Sequence, residues 1–237
     1  MSGHSKWKTI KHKKALTDAK KSKHFSKVIR EIEVCARAGG GDPAANATLR
    51  TLLEKARDIN MPLENATRAI KKGTGELAGE AYEAYTYEGY APHNIAVMIE
   101  VLTSNKNRTI SELRHVFNYK SGILGTTVGW MFDRKGVITF ENKKPHTEDE
   151  LLELLIDYAV DDISVDDDMV SITMDPKALE QVKHALVSAE IPVKDAQLEW
   201  VAKDSVALNE SQTNQVLDFL DALEDLDDVQ NVFSNLG

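Results

Sequence analysis

Cysteine is almost missing from this chain of 237 residues, with Cys35 standing alone. A lone thiol closes no intrachain disulfide and fits a reducing compartment. Cys35 also falls on the apolar side of a helical pattern, where a buried structural thiol outweighs a nucleophile. Long apolar runs are missing as well. No stretch reaches the roughly 20 residues that cross a bilayer as a helix, and residues 1–15 hold no apolar segment of the secretory kind. The expectation is a soluble, cytoplasmic protein with no membrane partner.

Signatures of chemistry are scarce. The Gly39–Gly41 and Gly73–Gly75 stretches lack the Gly-Lys-Ser/Thr ending of a P-loop and read as helix punctuation. His4, His12 and His24 have neither metal-ligand spacing nor cysteine partners. Asp161, Asp162 and Asp166–Asp168 lack the Gly and distal Glu of an EF-hand loop and read as a solvated turn. No nucleophile elbow surrounds a serine. An enzyme is therefore the weakest reading, and no catalytic residue, metal or cofactor is expected.

What the chain does have is segregated charge. Residues 1–72 carry 17 basic and 7 acidic residues, a net charge of +10. Residues 73–144 carry 8 of each, and residues 145–237 carry 4 basic against 23 acidic, a net charge of -19. A basic block in a chain of net charge -9 points to a partner of opposite sign. Trp7 lies between Lys6 and Lys8, and an aromatic ring among cations suits base stacking together with phosphate contact. The candidate nucleic-acid contacts are Lys6, Trp7, Lys8, Lys11, His12, Lys13, Lys14, Lys20, Lys21, Lys23, Lys27 and Arg30, with Arg68, Lys71 and Lys72 further along.

Hydrophobic residues make up 42% of the chain, ample for real cores. Phe25, Val28, Ile29, Ile32 and Cys35 predict a helix over about 23–38, Leu49, Leu52, Leu53, Ala56 and Ile59 a second over about 46–59, and Leu63, Ala66 and Ile70 a third after Pro62. The grammar then turns to strands. The segment 82–90 predicts an extra edge strand, and alternation over 93–103 predicts the next. A Thr109–Glu112 capping box opens a helix, and short strands follow at 128–133 and 136–141. A second box at Thr147–Glu150 opens another helix, strands follow at 163–165 and 169–174, and Asp175-Pro176 starts a further helix. A strand at 196–201, one near 205–209, a helix capped by Ser211 and a strand at 229–233 complete the chain.

From Gly136 to Val201 the order is β-α-β-β-α-β, the split-βαβ unit, and the flanking elements repeat that order. The expected fold class is α+β: a small N-terminal helical domain followed by two ferredoxin-like (split βαβ) domains, the second inserted into the first. The expected domains are 1–78 for the basic arm and three helices, 79–133 plus 205–237 for the discontinuous unit, and 134–204 for the insertion.

Several motifs recur together. Ser2-Gly3-His4-Ser5-Lys6-Trp7, Ile10-Lys11-His12-Lys13-Lys14-Ala15, Gly39-Gly40-Gly41-Asp42-Pro43, Asn60-Met61-Pro62, Arg68-Ala69-Ile70-Lys71-Lys72-Gly73, Tyr87-Glu88-Gly89-Tyr90 and Asn107-Arg108-Thr109 resemble the YebC family over essentially the whole chain. The resemblance implies a helical domain, two α+β domains, and a role as a transcriptional regulator or as a translation factor on the ribosome. Gly122–Trp130 departs from the family pattern, being shorter and lacking a Gly-Ser step. Two functions stand side by side: a DNA-binding regulator of transcription, and a ribosome-associated factor that binds ribosomal RNA through the basic head. The acidic domains are candidates for contact with the ribosome or the transcription machinery in either case. Charge alone does not separate DNA from RNA, and it leaves oligomeric state open.

Overall fold

The computed structural model describes residues 18–143, 145–166 and 169–237. Three helices come first: α1 (Asp18–Gly39), α2 (Ala47–Asp58) and α3 (Leu63–Gly73). Val28, Ile32, Leu49, Ala56, Met61, Ala66 and Ala69 form their shared core. Helix α1 begins about a turn before its apolar periodicity does. It ends where Gly40 takes a φ of +84° and donates its N–H to the Ala36 carbonyl at 3.0 Å. Asn46 caps α2 by accepting from Leu49 N–H at 3.0 Å. Gly73 closes α3 and also lets α3 lie against α1, because a Cβ there would collide with the Glu33 carbonyl.

The remaining elements are β1 (Glu83–Ala91), β2 (Ile95–Thr103), α4 (Lys106–Tyr119), β3 (Ile123–Leu124), β4 (Phe132–Glu141), α5 (Glu148–Leu154), β5 (Val160–Asp166), β6 (Met169–Met174), α6 (Leu179–Ser188), β7 (Asp195–Ala202), α7 (Glu210–Glu224) and β8 (Val229–Ser234). They build two four-stranded sheets, ordered β3-β1-β2-β8 and β5-β6-β4-β7, with every neighbouring pair antiparallel. The fold is α+β, with N-terminal helices followed by two such sheets, the second lying within the chain of the first.

The second sheet has the strand order of a split βαβ unit, and its core of Ile138, Phe140, Leu151, Ile172, Val182 and Leu186 is local to that segment. The first sheet reaches the same order by another route. The 82–90 strand is not an edge: β1 pairs with β2 from Glu83↔Thr103 to Ala91↔Ile95, and β3 lies outside it. Thus β1, which precedes the βα unit, fills the position that the third strand usually takes. The expected 128–133 strand is not formed as such. Gly129–Met131 is a 3-10 turn, and Phe132 already belongs to β4. The Glu88 carboxylate causes the turn by accepting from Val128 N–H at 2.6 Å and Gly129 N–H at 2.7 Å. The expected 205–209 strand reduces to one parallel bridge, Val206–Leu236.

Strand β2 is buried on both faces. Ile95, Val97, Ile99 and Val101 pack with Leu113, Phe117, Phe219 and Leu220 beneath α4 and α7. Ala96 and Met98 face the other way, against Val128, Phe132, Ala202 and Phe233 between the two sheets. Glu100 joins the sheets there, accepting from Arg134 at 2.6 Å, Trp200 Nε1 at 3.1 Å and Asn231 Nδ2 at 3.1 Å.

Two helix starts differ from local expectation. Helix α4 opens at Lys106 with Asn105 as its cap, accepting from Arg108 N–H at 3.1 Å. Thr109 lies inside the helix, and its hydroxyl donates to Asp228 at 2.7 Å. Helix α7 is capped by Asn209 in a reciprocal box with Gln212, not by Ser211. The Thr147–Glu150 box forms as expected.

Asp228 is 1% exposed. It accepts from Arg108 at 2.7 and 2.9 Å, from Thr103 at 3.0 Å and from Thr109. Burial pushes its carboxyl up, but the Arg108, Thr109 and Thr103 hydrogen bonds outweigh that and hold it below the usual carboxylate range. Its stabilising contribution is therefore full above the unfolded pKa of about 4 and is lost as pH falls through the lower folded value. Asp228→Asn is expected to cost about 3 kcal/mol at neutral pH. Urea unfolding should show that gap closing as pH falls below about 4, where the carboxyl of the unfolded chain protonates before that of the folded one.

The chain enters and leaves the second sheet at one place, where Lys203 N–H donates to the Met131 carbonyl at 2.9 Å. Residues 131–203 expressed alone are expected to melt cooperatively, because the cluster around Ile138, Phe140, Ile172 and Leu186 is built wholly from that segment. A broad melt by circular dichroism would count against an autonomous unit.

Candidate nucleic-acid interface

The basic residues singled out from sequence fall into three groups. Lys6, Trp7, Lys8, Lys11, His12, Lys13 and Lys14 lie outside the described residues. Lys20 and Lys21 lie at the start of α1, and their side chains are likewise outside the described part. Lys23, Lys27 and Arg30 recur along α1 at helical spacing and come together on one target, the turn that follows α7.

That turn is acidic, running Glu224-Asp225-Leu226-Asp227-Asp228. Lys23 Nζ donates to the Asp225 carbonyl at 2.9 Å and lies 3.4 Å from the Asp225 carboxylate. Lys27 Nζ donates to the Glu224 carbonyl at 2.9 Å. Arg30 donates to the Asp227 carbonyl, lies 3.5 Å from Asp228 Oδ1, and sits over the Tyr82 ring with its guanidinium carbon 5.7 Å from the centroid. The carbonyls at the C-terminal end of a helix lack intrahelical partners and form the negative end of its dipole, so Lys23 and Lys27 meet those of Asp225 and Glu224 favourably, while Arg30 meets the turn beyond them. These contacts fix α1 against the first sheet.

Arg68, Lys71 and Lys72 lie on the last turns of α3. Arg68 pairs with Glu64 one helical turn earlier at 2.7 Å, and both are largely exposed. An exposed pair of this kind contributes under about 1 kcal/mol, so Arg68 is readily diverted to another anion. Lys71 is exposed and Lys72 is half-buried. Arg50 and Arg57, exposed on α2, were not singled out from sequence. Their signal was the polar side of the α2 helical pattern.

Cys35 is half-buried beside Asn46, with Sγ 3.5 Å from Asn46 Oδ1. Burial pushes its thiol up, against the Asn46 hydrogen bond. That disfavours the thiolate and suits a packing role. Lys135 pairs with Asp161 at 3.0 Å, so part of the Asp161–Asp168 stretch serves an ion pair within the second sheet. In the Gly122–Trp130 segment, Gly125 N–H donates to the Glu88 carbonyl at 2.8 Å, and Trp130 stands 68% exposed beside the turn that Glu88 holds. Among the described residues no helix is long and apolar enough to cross a membrane.

Two family models match in succession. One, described as the TACO1/YebC protein N-terminal domain, covers residues 5–76. The other, described as the TACO1/YebC second and third domain, covers residues 82–236. A "probable transcriptional regulatory protein" of Chlorobaculum parvum is 47% identical, spanning 100% of this chain and 95% of that protein. Another of the same description, from Thermotoga petrophila, is 49% identical over 99% of this chain and 93% of that protein. The crystal structure of a conserved hypothetical protein from Aquifex aeolicus is similar with a TM-score of 0.86 at 45% identity, covering 96% of this chain and 95% of that one.

Proposed function

The chain belongs to the TACO1/YebC family, and on that premise we propose that it is a cytoplasmic, DNA-binding regulator of transcription that acts by binding, not by catalysis. The observation that carries this reading is the charge segregation, +10 over residues 1–72 against -19 beyond residue 144. A positive head on a negative body lets phosphates approach one end of the molecule and repels them from the other. The name shared by its relatives supports promoter DNA as the target.

A second reading, binding to ribosomal RNA as a translation factor, is favoured by Trp7. A tryptophan flanked by lysines in an arm suits unpaired bases, which offer a free π face. Crosslinking in cells, followed by sequencing of both the DNA and the RNA recovered, separates the two. Peaks at promoters are the outcome expected for a transcriptional regulator, and peaks in ribosomal RNA would replace that reading with the second.

Removal of residues 1–17 leaves α1, α2 and α3 whole and takes away Lys6, Lys8, Lys11, Lys13 and Lys14. The shortened protein is expected to bind nucleic acid more weakly. Its plot of log K against log salt should flatten by about 0.7–0.9 for each phosphate that is no longer neutralised. Titrations at several salt concentrations measure this, and an unchanged slope would remove the arm from the interface.

A further inference from the structure

Lys23, Lys27 and Arg30 are basic residues of a head that reads as nucleic-acid-binding, yet each is engaged by the chain's own acidic turn. We propose that the Glu224–Asp228 turn is a built-in competitor for nucleic acid: it holds these cations in the free protein and yields them to phosphates when nucleic acid binds. This inference rests on the function proposed above.

The turn presents to α1 what a phosphate backbone would present. Its contacts are the Glu224 and Asp225 carbonyls at the negative end of α7, the Asp227 carbonyl beyond them, and the Asp225 and Asp228 carboxylates. The Lys23 and Asp225 side chains are 43% and 52% exposed, so salt and a competing anion reach them. The neighbouring interface is also loosely made. A cleft of about 340 Å³ lies nearby, lined by Glu31, Tyr85, Thr86, Glu100 and Gln230 among others. The Gln230 amide is buried with neither its nitrogen nor its oxygen hydrogen-bonded. A buried amide left unpaired is unfavourable, so this side of the sheet is imperfectly satisfied where it meets Glu31 of α1 in the cleft. The turn itself keeps its shape when the cations leave, because Asp228 remains tied to Arg108, Thr103 and Thr109.

A zero-length carbodiimide crosslink tests the exchange on the full chain. It joins Lys23 to Asp225 only where amine and carboxylate touch, and mass spectrometry reads its yield. The Lys135–Asp161 pair, 3.0 Å apart in the second sheet, serves as the internal standard. Saturation with a poly(U) RNA or a duplex DNA oligonucleotide is expected to lower the Lys23–Asp225 yield several-fold while the standard holds. Asp225→Asn combined with Asp227→Asn, both at exposed positions, is expected to tighten binding of the same probe about fivefold at low salt. Tight binding with an unchanged Lys23–Asp225 yield, or with equal affinity in the double variant, overturns the competition while leaving the proposed function standing. Failure of the intact chain to bind either probe overturns both.

Discussion

A carboxylate sealed from water has to be matched at its oxygens, and Asp228 is matched by residues from distant stretches of chain. Thr103 comes from the end of β2, Arg108 and Thr109 from the start of α4, and Arg30 from the head. Its own main-chain carbonyl accepts from Leu102 N–H at 2.9 Å. Leaving such a charge unpaired would cost several kcal/mol, so the demand propagates outward. Thr109 is drawn inside α4 because its hydroxyl is needed at the carboxylate, and Asn105 takes over as cap. The first residues of β8, the first turn of α4 and the middle of α1 are held in one register by this group.

Glu100 plays a corresponding part at the other face of β2. It gathers Arg134 from β4, Trp200 from β7 and Asn231 from β8, and the Arg134 guanidinium also lies over the Trp200 ring at 5.2 Å. One anion thus ties the head to the first sheet and another ties the first sheet to the second. Between them runs β2, apolar on both sides except where Glu100 faces the junction and Thr103 meets Asp228. The charge of the chain is therefore partly architectural, while Arg50, Arg57 and Lys71 stand exposed on α2 and α3.

How much of this was legible in the sequence depends on how local each interaction is. The three helices of the head were, because Val28, Ile32, Leu49 and Ala66 repeat with helical period and Gly40 and Pro62 punctuate them. The second sheet was, because its core closes within its own segment. The strand order of the first sheet was not. The place of β1 depends on a nine-residue pairing with β2 and on β8 reaching β2's far side from residue 229. The 128–133 segment looked like a strand because its residues are apolar, but Glu88 captures its backbone donors. For the interface, composition revealed the cations but not their partners. Lys23 and Asp225 stand 202 residues apart, and no periodicity connects them.

That β8 closes the first sheet has a consequence for the order in which the molecule is made. Synthesis runs from the N-terminus, and β8 (Val229–Ser234) follows every other element of both sheets. The head can pack as soon as α3 emerges, and the second sheet can close once β7 is out, since domains fold as units during synthesis. The first sheet cannot: β2 stays bare along one edge, and the hollow that Asp228 fills stays empty, until residues 228–234 have left the ribosome. Through most of its birth the protein is thus two finished bodies joined by an unfinished one. Its basic helix is without its acidic seat at the time when ribosomal RNA is the nearest polyanion.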